Sequence, residues 1–262
     1  ELRFDGCRVG DDALLGEVKA VLRRPRAEGV PCAVVLVGDY IDRGPANLGV
    51  LRRVAGLGAE LGVPVHALRG NHDQYLIDFL WAPEYGRDDL DLWLENDGLG
   101  MLGELGVEPD DLYRETLEEL RERARRALPP GLVRLLAGLG HLVRIGDWLF
   151  VHGGVHPSEP LAAQEPQSWL RLREPFLAPE RWLHPFRVVH GHTIRRHEVL
   201  PHRVAIDSGC YKTGALSALV IEPERLRFLV VADDPELRRL EALRGDGPPL
   251  DYDPAVPIRA TG

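Results

Sequence analysis

Cysteine is scarce: Cys7, Cys32 and Cys210 are the only three in 262 residues. An odd, widely spaced set without a Cys-x-x-Cys pair argues against a disulfide framework and a cysteine zinc site, and predicts reduced thiols. Long apolar runs are lacking as well; nothing approaches the about eighteen uncharged apolar residues that a membrane span needs. The opening stretch, Glu1 to Gly10, is mixed and charged and has no signal-peptide core. These absences predict a soluble, cytoplasmic protein. A basic excess is also missing. With 32 Lys+Arg against 41 Asp+Glu, the net charge of −9 has the wrong sign for a nucleic-acid binder held by counterion release. Anionic substrates remain compatible with that charge, because bound metal ions add local positive charge that formal counting misses.

What is present suffices for a sizeable core: 44% of residues are hydrophobic. Leu14, Leu15, Val18, Val21 and Leu22 recur at helical spacing and predict an amphipathic helix from about Asp12 to Arg24. The apolar run Ala33 to Val37 predicts a buried parallel strand. A helix over about 46–61 and a strand over Val63 to Leu68 follow, and this β-α-β alternation argues an α/β fold. From about 74 to 139 the apolar stripes become helical, which predicts a helical insertion against the sheet, with a small independent domain as the alternative. Strands resume at Leu142 to Ile145 and Trp148 to Val151, joined by a Gly146-Asp147 turn. Later strands are predicted near Arg187–Val189, Arg203–Ile206, Ala215–Ile221 and Leu226–Val231, in a mainly antiparallel second half. The Pro-rich end, residues 241–262, reads as an irregular tail.

Four polar clusters each follow an apolar strand: Gly38-Asp39-Tyr40-Ile41-Asp42-Arg43-Gly44, Arg69-Gly70-Asn71-His72-Asp73, His152-Gly153-Gly154 and His190-Gly191-His192-Thr193. Ligands of open α/β sheets bind at strand ends, so the four can converge on one crevice. Asp, Asn and His offer oxygen and nitrogen donors suited to divalent manganese, iron or zinc. Two such ions about 4 Å apart can clamp a phosphoryl group and activate a water, and Arg43 offers a planar fork for phosphate oxygens. Each cluster has a plainer alternative. The Asp39–Arg43 loop fits a helix N-cap with a salt bridge, Asn71-His72 an ordinary turn, and His152 a tight bend. His190 and His192, on one side of a strand by alternation, fit a hydrogen-bonded pair. The joint occurrence favours a site. His66, His141, His156, His184, His197 and His202 read as surface or turn residues, the five tryptophans as packing, and Tyr211 as a residue that could line the cleft.

Taken in order, Gly38–Gly44, Gly70–Asp73, His152–Gly154 and Gly191–Thr193 resemble the signatures of calcineurin-like metallophosphoesterases of the phosphoprotein-phosphatase branch. Leu172-Arg173-Glu174-Pro175-Phe176-Leu177 and Ile206-Asp207-Ser208-Gly209 resemble segments of its bacterial serine/threonine phosphatase-like members. The resemblance implies a mixed α/β, four-layer αββα sandwich over residues 1–240, with the helical insertion inside it. It implies metal ligands at Asp39, Asn71, His152 and His192, with Asp39 bridging two divalent ions, manganese foremost and iron, zinc or magnesium as alternatives. His72 would be the general acid, oriented by Asp42, and Arg43 and Arg173 would hold phosphate, Arg171 having a weaker claim. Metal-bound hydroxide would attack phosphorus in line, without a phosphoenzyme. The family also opens with Gly-Asp-x-His-Gly, and no Asp-x-His precedes Asp39 here. Either that motif lies upstream of Glu1, or Gly6-Cys7-Arg8-Val9-Gly10 is its remnant and one ion is lost. Three functions follow as expectations: a phosphomonoesterase acting on phosphorylated proteins or small phosphoesters, a symmetrical dinucleoside tetraphosphate hydrolase, or a decayed phosphate-binding or scaffolding module. Relatives of the second kind often lack an acid at the position of Asp42, which favours the first. No nucleic-acid or membrane partner is expected.

Overall fold

The structure, a computed structural model, describes residues 11–195, 197–223 and 225–232. The proposed remnant at Gly6–Gly10 and the tail at 241–262 lie outside the described residues. The first helix, α1 (Asp11–Ala27), buries Leu15 and Leu22 against Leu61, as its apolar spacing requires. Strand β1 (Val34–Leu36), helix α2 (Asn47–Leu61) and strand β2 (Val65–Ala67) form a parallel β-α-β unit, with Val34 paired to Val65 and Leu36 to Ala67. Val34, Val35 and Leu36 are half-buried rather than buried. Among the described residues, β1 pairs on one side only, so its sheet shields it less than a central strand is shielded.

The insertion is helical throughout: α3 (Asn71–Trp81), α4 (Arg87–Glu95), α5 (Leu99–Glu104), α6 (Asp111–Arg114), α7 (Leu117–Ala127) and α8 (Pro130–Gly138). Leu76, Phe79, Leu80, Leu90, Trp93, Met101 and Leu102 from α3–α5 share one core with Val50, Leu51 and Val54 of α2, so the insertion is continuous with the α/β unit. One contact anchors it further. Glu104, at the end of α5, accepts from the backbone N–H groups of Asn47 (2.6 Å) and Leu48 (2.9 Å), satisfying donors that the first turn of α2 leaves open. Helix α3 begins earlier than its apolar stripe suggests. Asn71 and His72 occupy its first turn rather than a loop, because Asp73 reaches back to the Gly70 N–H (2.8 Å) and caps the helix there.

The second half holds a four-stranded sheet, β3 (Leu142–Ile145), β4 (Trp148–Val151), β5 (Arg187–His190) and β6 (Arg203–Ala205), and a hairpin, β7 (Ala215–Glu222) with β8 (Arg225–Ala232). The expected antiparallel character holds for β3–β4 and β7–β8 but not for β4–β5–β6, which run parallel. Long connections rather than turns join those three strands, which permits parallel pairing. Trp148, Phe150, Val189 and Val204 on one face of this sheet pack against Leu219, Ile221, Phe228 and Val230 of the hairpin, a sheet-on-sheet core. The opposite face carries Leu149, Val151 and Val188 against Val155, Trp169, Phe176 and Phe186 of the β4–β5 connection. The mixed α/β sandwich with its helical insertion is therefore present. No helix of the described residues is long and apolar enough to cross a membrane. Cys32 is a free thiol, whereas Cys210 is disulfide-bonded, contrary to the expectation of three reduced cysteines.

Candidate active site

The loops after β1, β4 and β5 and the first turn of α3 meet in one cleft, lined by Asp39, Arg43, Asn71, His72, His152, Arg173 and His192. Asp42 stands behind His72, 2% exposed. All eight residues expected at the site are thus brought together. Asp39 (φ 59), Asp42 (φ 69), Arg43 (φ 58) and His192 (φ 61) adopt the left-handed backbone region, costly for residues with a Cβ. Such strain persists only where the surroundings over-determine it, and it concentrates at functional sites. Because β5 ends at His190, His192 lies in the following loop, and the expectation that the two share one strand face does not hold. His190 turns away: it contacts Phe176 and Arg203, and burial pushes its imidazole down to about 3.

Two glycines let the loops close on each other. A Cβ at Gly38 (φ 98) would lie 2.4 Å from the Gly70 nitrogen, and one at Gly70 would lie 2.1 Å from Asp39 Oδ1. Asp73, for which the sequence suggested no role, joins the two segments. Its carboxylate accepts from the backbone N–H of Asp39 (2.8 Å), Tyr40 (3.0 Å) and Gly70 (2.8 Å). Burial, and the charge of Asp39 after it, push the Asp73 carboxyl up to about 6. Its position three residues after the helix N-cap was the available signal.

The centre of the cleft is a donor cluster. Ligand atoms of Asp39, His152 and His192 all lie within 4.8 Å of one another. His152 Nδ1 donates to the Val37 carbonyl (2.7 Å), which leaves Nε2 facing Asn71 Oδ1 (3.1 Å) and Asp39 Oδ2 (3.2 Å). Two oxygen acceptors around one ring nitrogen call for something positive between them. Burial opposes charge on His152, but Asp39 outweighs it and raises the imidazole to about 8, a proton doing what a cation would do. Burial also opposes ionisation of Asp39, yet His152 and the His72 N–H (3.0 Å to Oδ1) hold its carboxyl below the ordinary range. His192 completes the set. Its Nε2 is buried without a hydrogen-bond partner, and burial, with the charges of His152 and Arg173, lowers its pKa to about 3. A neutral imidazole with an unused lone pair beside a carboxylate fits a divalent metal ion.

Beside this cluster stands a separate acid. His72 Nδ1 lies 2.7 Å from Asp42 Oδ2, with both side chains buried. Burial works against a charged imidazole here, but Asp42 and then Asp39 favour it, and the pKa of His72 is raised. With Nδ1 committed, Nε2 is the nitrogen left for the cleft. The same Asp42 oxygen accepts from Trp93 Nε1 at 2.9 Å, a contact the sequence reading missed because it assigned every tryptophan to packing. Arg43 lies 4.3 Å over the ring of Tyr211, which also lines the cleft, and 3.8 Å from Asp97, while Arg173 is exposed without an ion-pair partner among the described residues. Arg171, also exposed, stacks 4.9 Å over Tyr75. Asp207, in the segment Ile206–Gly209, also lines the cleft; burial raises its pKa, and Gly209 N–H donates to it at 2.8 Å.

The fold, the strand-end loops and the donor cluster find their counterpart in a known family. The chain belongs to the calcineurin-like phosphoesterases, which match residues 11–219. The family implies a phosphoester hydrolase that depends on divalent metal ions. A symmetrical bis(5'-nucleosyl)-tetraphosphatase of Chromohalobacter salexigens is 38% identical over 79 residues, 30% of this chain and 25% of that protein's length. Among solved structures, one ascribed to a diadenosine tetraphosphatase is 22% identical with a TM-score of 0.49, covering 82% of this chain and 88% of that one. A cold-active protein-tyrosine phosphatase of a Shewanella species is 16% identical with a TM-score of 0.41, covering 77% and 69%.

Proposed function

We propose that the protein is a phosphomonoesterase of the serine/threonine phosphatase type, acting on phosphorylated proteins or small phosphoesters with manganese as the preferred ion. The observation that carries this reading is the His72–Asp42 pair standing beside the Asp39, Asn71, His152 and His192 donors in one cleft. Those four donors would hold the metal, which when bound supplies Lewis acidity toward the phosphoryl oxygens and the attacking water. Arg43 and Arg173 bind and orient the remaining phosphate oxygens, Arg43 braced from behind by Tyr211. His72 holds a proton on Nε2 and gives it to the ester oxygen as the P–O bond breaks. Asp42, 2.7 Å away, keeps the ring oriented and favours its charged form.

A second reading, hydrolysis of symmetrical dinucleoside tetraphosphates, draws support from the 79-residue similarity to a tetraphosphatase. A third is a decayed phosphate-binding or scaffolding module. One experiment separates the three. Purified protein with added manganese is given p-nitrophenyl phosphate, a phosphoserine peptide and diadenosine tetraphosphate in parallel. Turnover of the two monoesters with little of the third is expected. Turnover of the tetraphosphate alone overturns the first reading in favour of the second, and no turnover of any, with metal bound, favours the third.

A further inference from the structure

We propose that Trp93, in the helical insertion, is a positioning residue for the proton donor: its indole N–H fixes the Asp42 carboxylate and through it the direction of His72. The inference rests on the reading of His72 as the acid and assigns a further part of the machinery. Asp42 Oδ2 is the meeting point of two donors, His72 Nδ1 at 2.7 Å and Trp93 Nε1 at 2.9 Å. Asp42 Oδ1 is buried with no hydrogen-bond partner, so among the described residues Trp93 is the one side chain besides His72 that restrains the rotation of this carboxylate.

Trp93 is itself held rigidly. It is 0% exposed, tilts against Phe79 with ring centroids 5.5 Å apart, and is closely approached by Gly98, where a Cβ would come within 2.6 Å of the indole Cδ1 and Nε1. A buried tryptophan usually finds some hydrogen-bond partner for its N–H. This one spends it on a carboxylate two helices away in sequence, at a residue whose own backbone is left-handed. Helix α4 therefore reaches the proton donor through one hydrogen bond, distinct from the contact that Asp97, which follows α4, makes with Arg43 (3.8 Å).

The test compares two monoesters that differ in their need for a proton. p-Nitrophenolate leaves unaided, whereas the serine alkoxide of a phosphoserine peptide must be protonated as it leaves. Loss of the indole N–H in Trp93→Phe is expected to lower kcat on the peptide by about tenfold to a hundredfold, the cost of misdirecting a reacting group by a fraction of an ångström. kcat on p-nitrophenyl phosphate should hardly change, and KM should stay the same for both. His72→Ala, run alongside, should show the same leaving-group dependence more steeply. If His72→Ala shows it and Trp93→Phe lowers both substrates equally or neither, the positioning role is overturned while the acid assignment stands. If His72→Ala itself treats the two alike, the acid assignment fails and takes the role of Trp93 with it. Should circular dichroism show that the Phe variant does not fold, Gly98→Ala, which displaces the indole without removing core volume, is read on the same two substrates by the same criteria.

Discussion

His192 presents a buried nitrogen with no partner, and such an atom is costly unless something occupies the space it faces. His192→Ala and Asp39→Asn are therefore expected to lower the metal content of purified protein, read by elemental analysis, while leaving the fold intact. Arg173→Ala makes the opposite prediction: unchanged metal content and a KM for phosphoserine peptide raised about tenfold, since an exposed guanidinium contributes binding of order 1–2 kcal/mol. Loss of metal in the Arg173 variant would contradict the separation of roles. At this scale the sequence was most legible where a polar residue followed an apolar strand. Asp39, Asn71, His72, His152 and His192 all line the cleft their spacing suggested. Trp93 was not legible, because its importance lies in one hydrogen bond made across 51 residues of chain, and Asp73 was legible only as a helix cap, not as the acceptor that ties Asp39 and Tyr40 to Gly70. No local pattern announces such a partner.

Among elements, α2 and α5 are coupled through Glu104, which caps two backbone donors of α2 next to the loop carrying Asp42. Asp42 N–H in turn donates to Asn47 Oδ1 at 2.7 Å, so the cap and the loop share a residue. Glu104→Ala should cost about 1–3 kcal/mol, the range for removing a charge-assisted bond to otherwise unsatisfied donors, visible as a lower urea midpoint with unchanged m-value. Gly70→Ala is a sharper probe of the site. With a Cβ 2.1 Å from Asp39 Oδ1 and 2.3 Å from the Asp39 backbone nitrogen, the variant must shift the loop as well as the carboxylate, so metal content and urea midpoint should both fall. Helices and strands were readable from their periodicity. The start of α3 was not, because Asn71 and His72 belong to the helix by virtue of the Asp73 cap rather than of any apolar stripe. The parallel order of β4, β5 and β6 was equally hidden, since the long connections that set it have no repeating pattern.

Across the whole molecule, histidines that read as surface residues are in fact interior. His184, His197 and His202 are each 8% exposed or less, and His202 packs against Trp182 at 5.3 Å between centroids. Burial pushes His202 from 6.5 down to about 4, and burial likewise lowers His184. Above pH 6.5 neither folded nor unfolded chain protonates His202. Between 6.5 and about 4 the unfolded chain takes up a proton that the folded one refuses, so stability falls as pH drops through that window. The loss attributable to His202 approaches about 3 kcal/mol at its lower end. Urea midpoints measured from pH 7 to pH 4 should decline, and His202→Phe should flatten the slope. A slope unaltered by that substitution would place the acid sensitivity elsewhere.

The donors proposed for the metal are divided between two separate sheets, Asp39 following β1 and Asn71 following β2, His152 and His192 following β4 and β5. An ion seated among them would act as a rivet across the seam between the layers. Its removal should loosen that seam before it loosens either layer, so treatment with a chelator is expected to speed amide exchange first in the loops around Val37 and His152, whose mutual hydrogen bond spans the join.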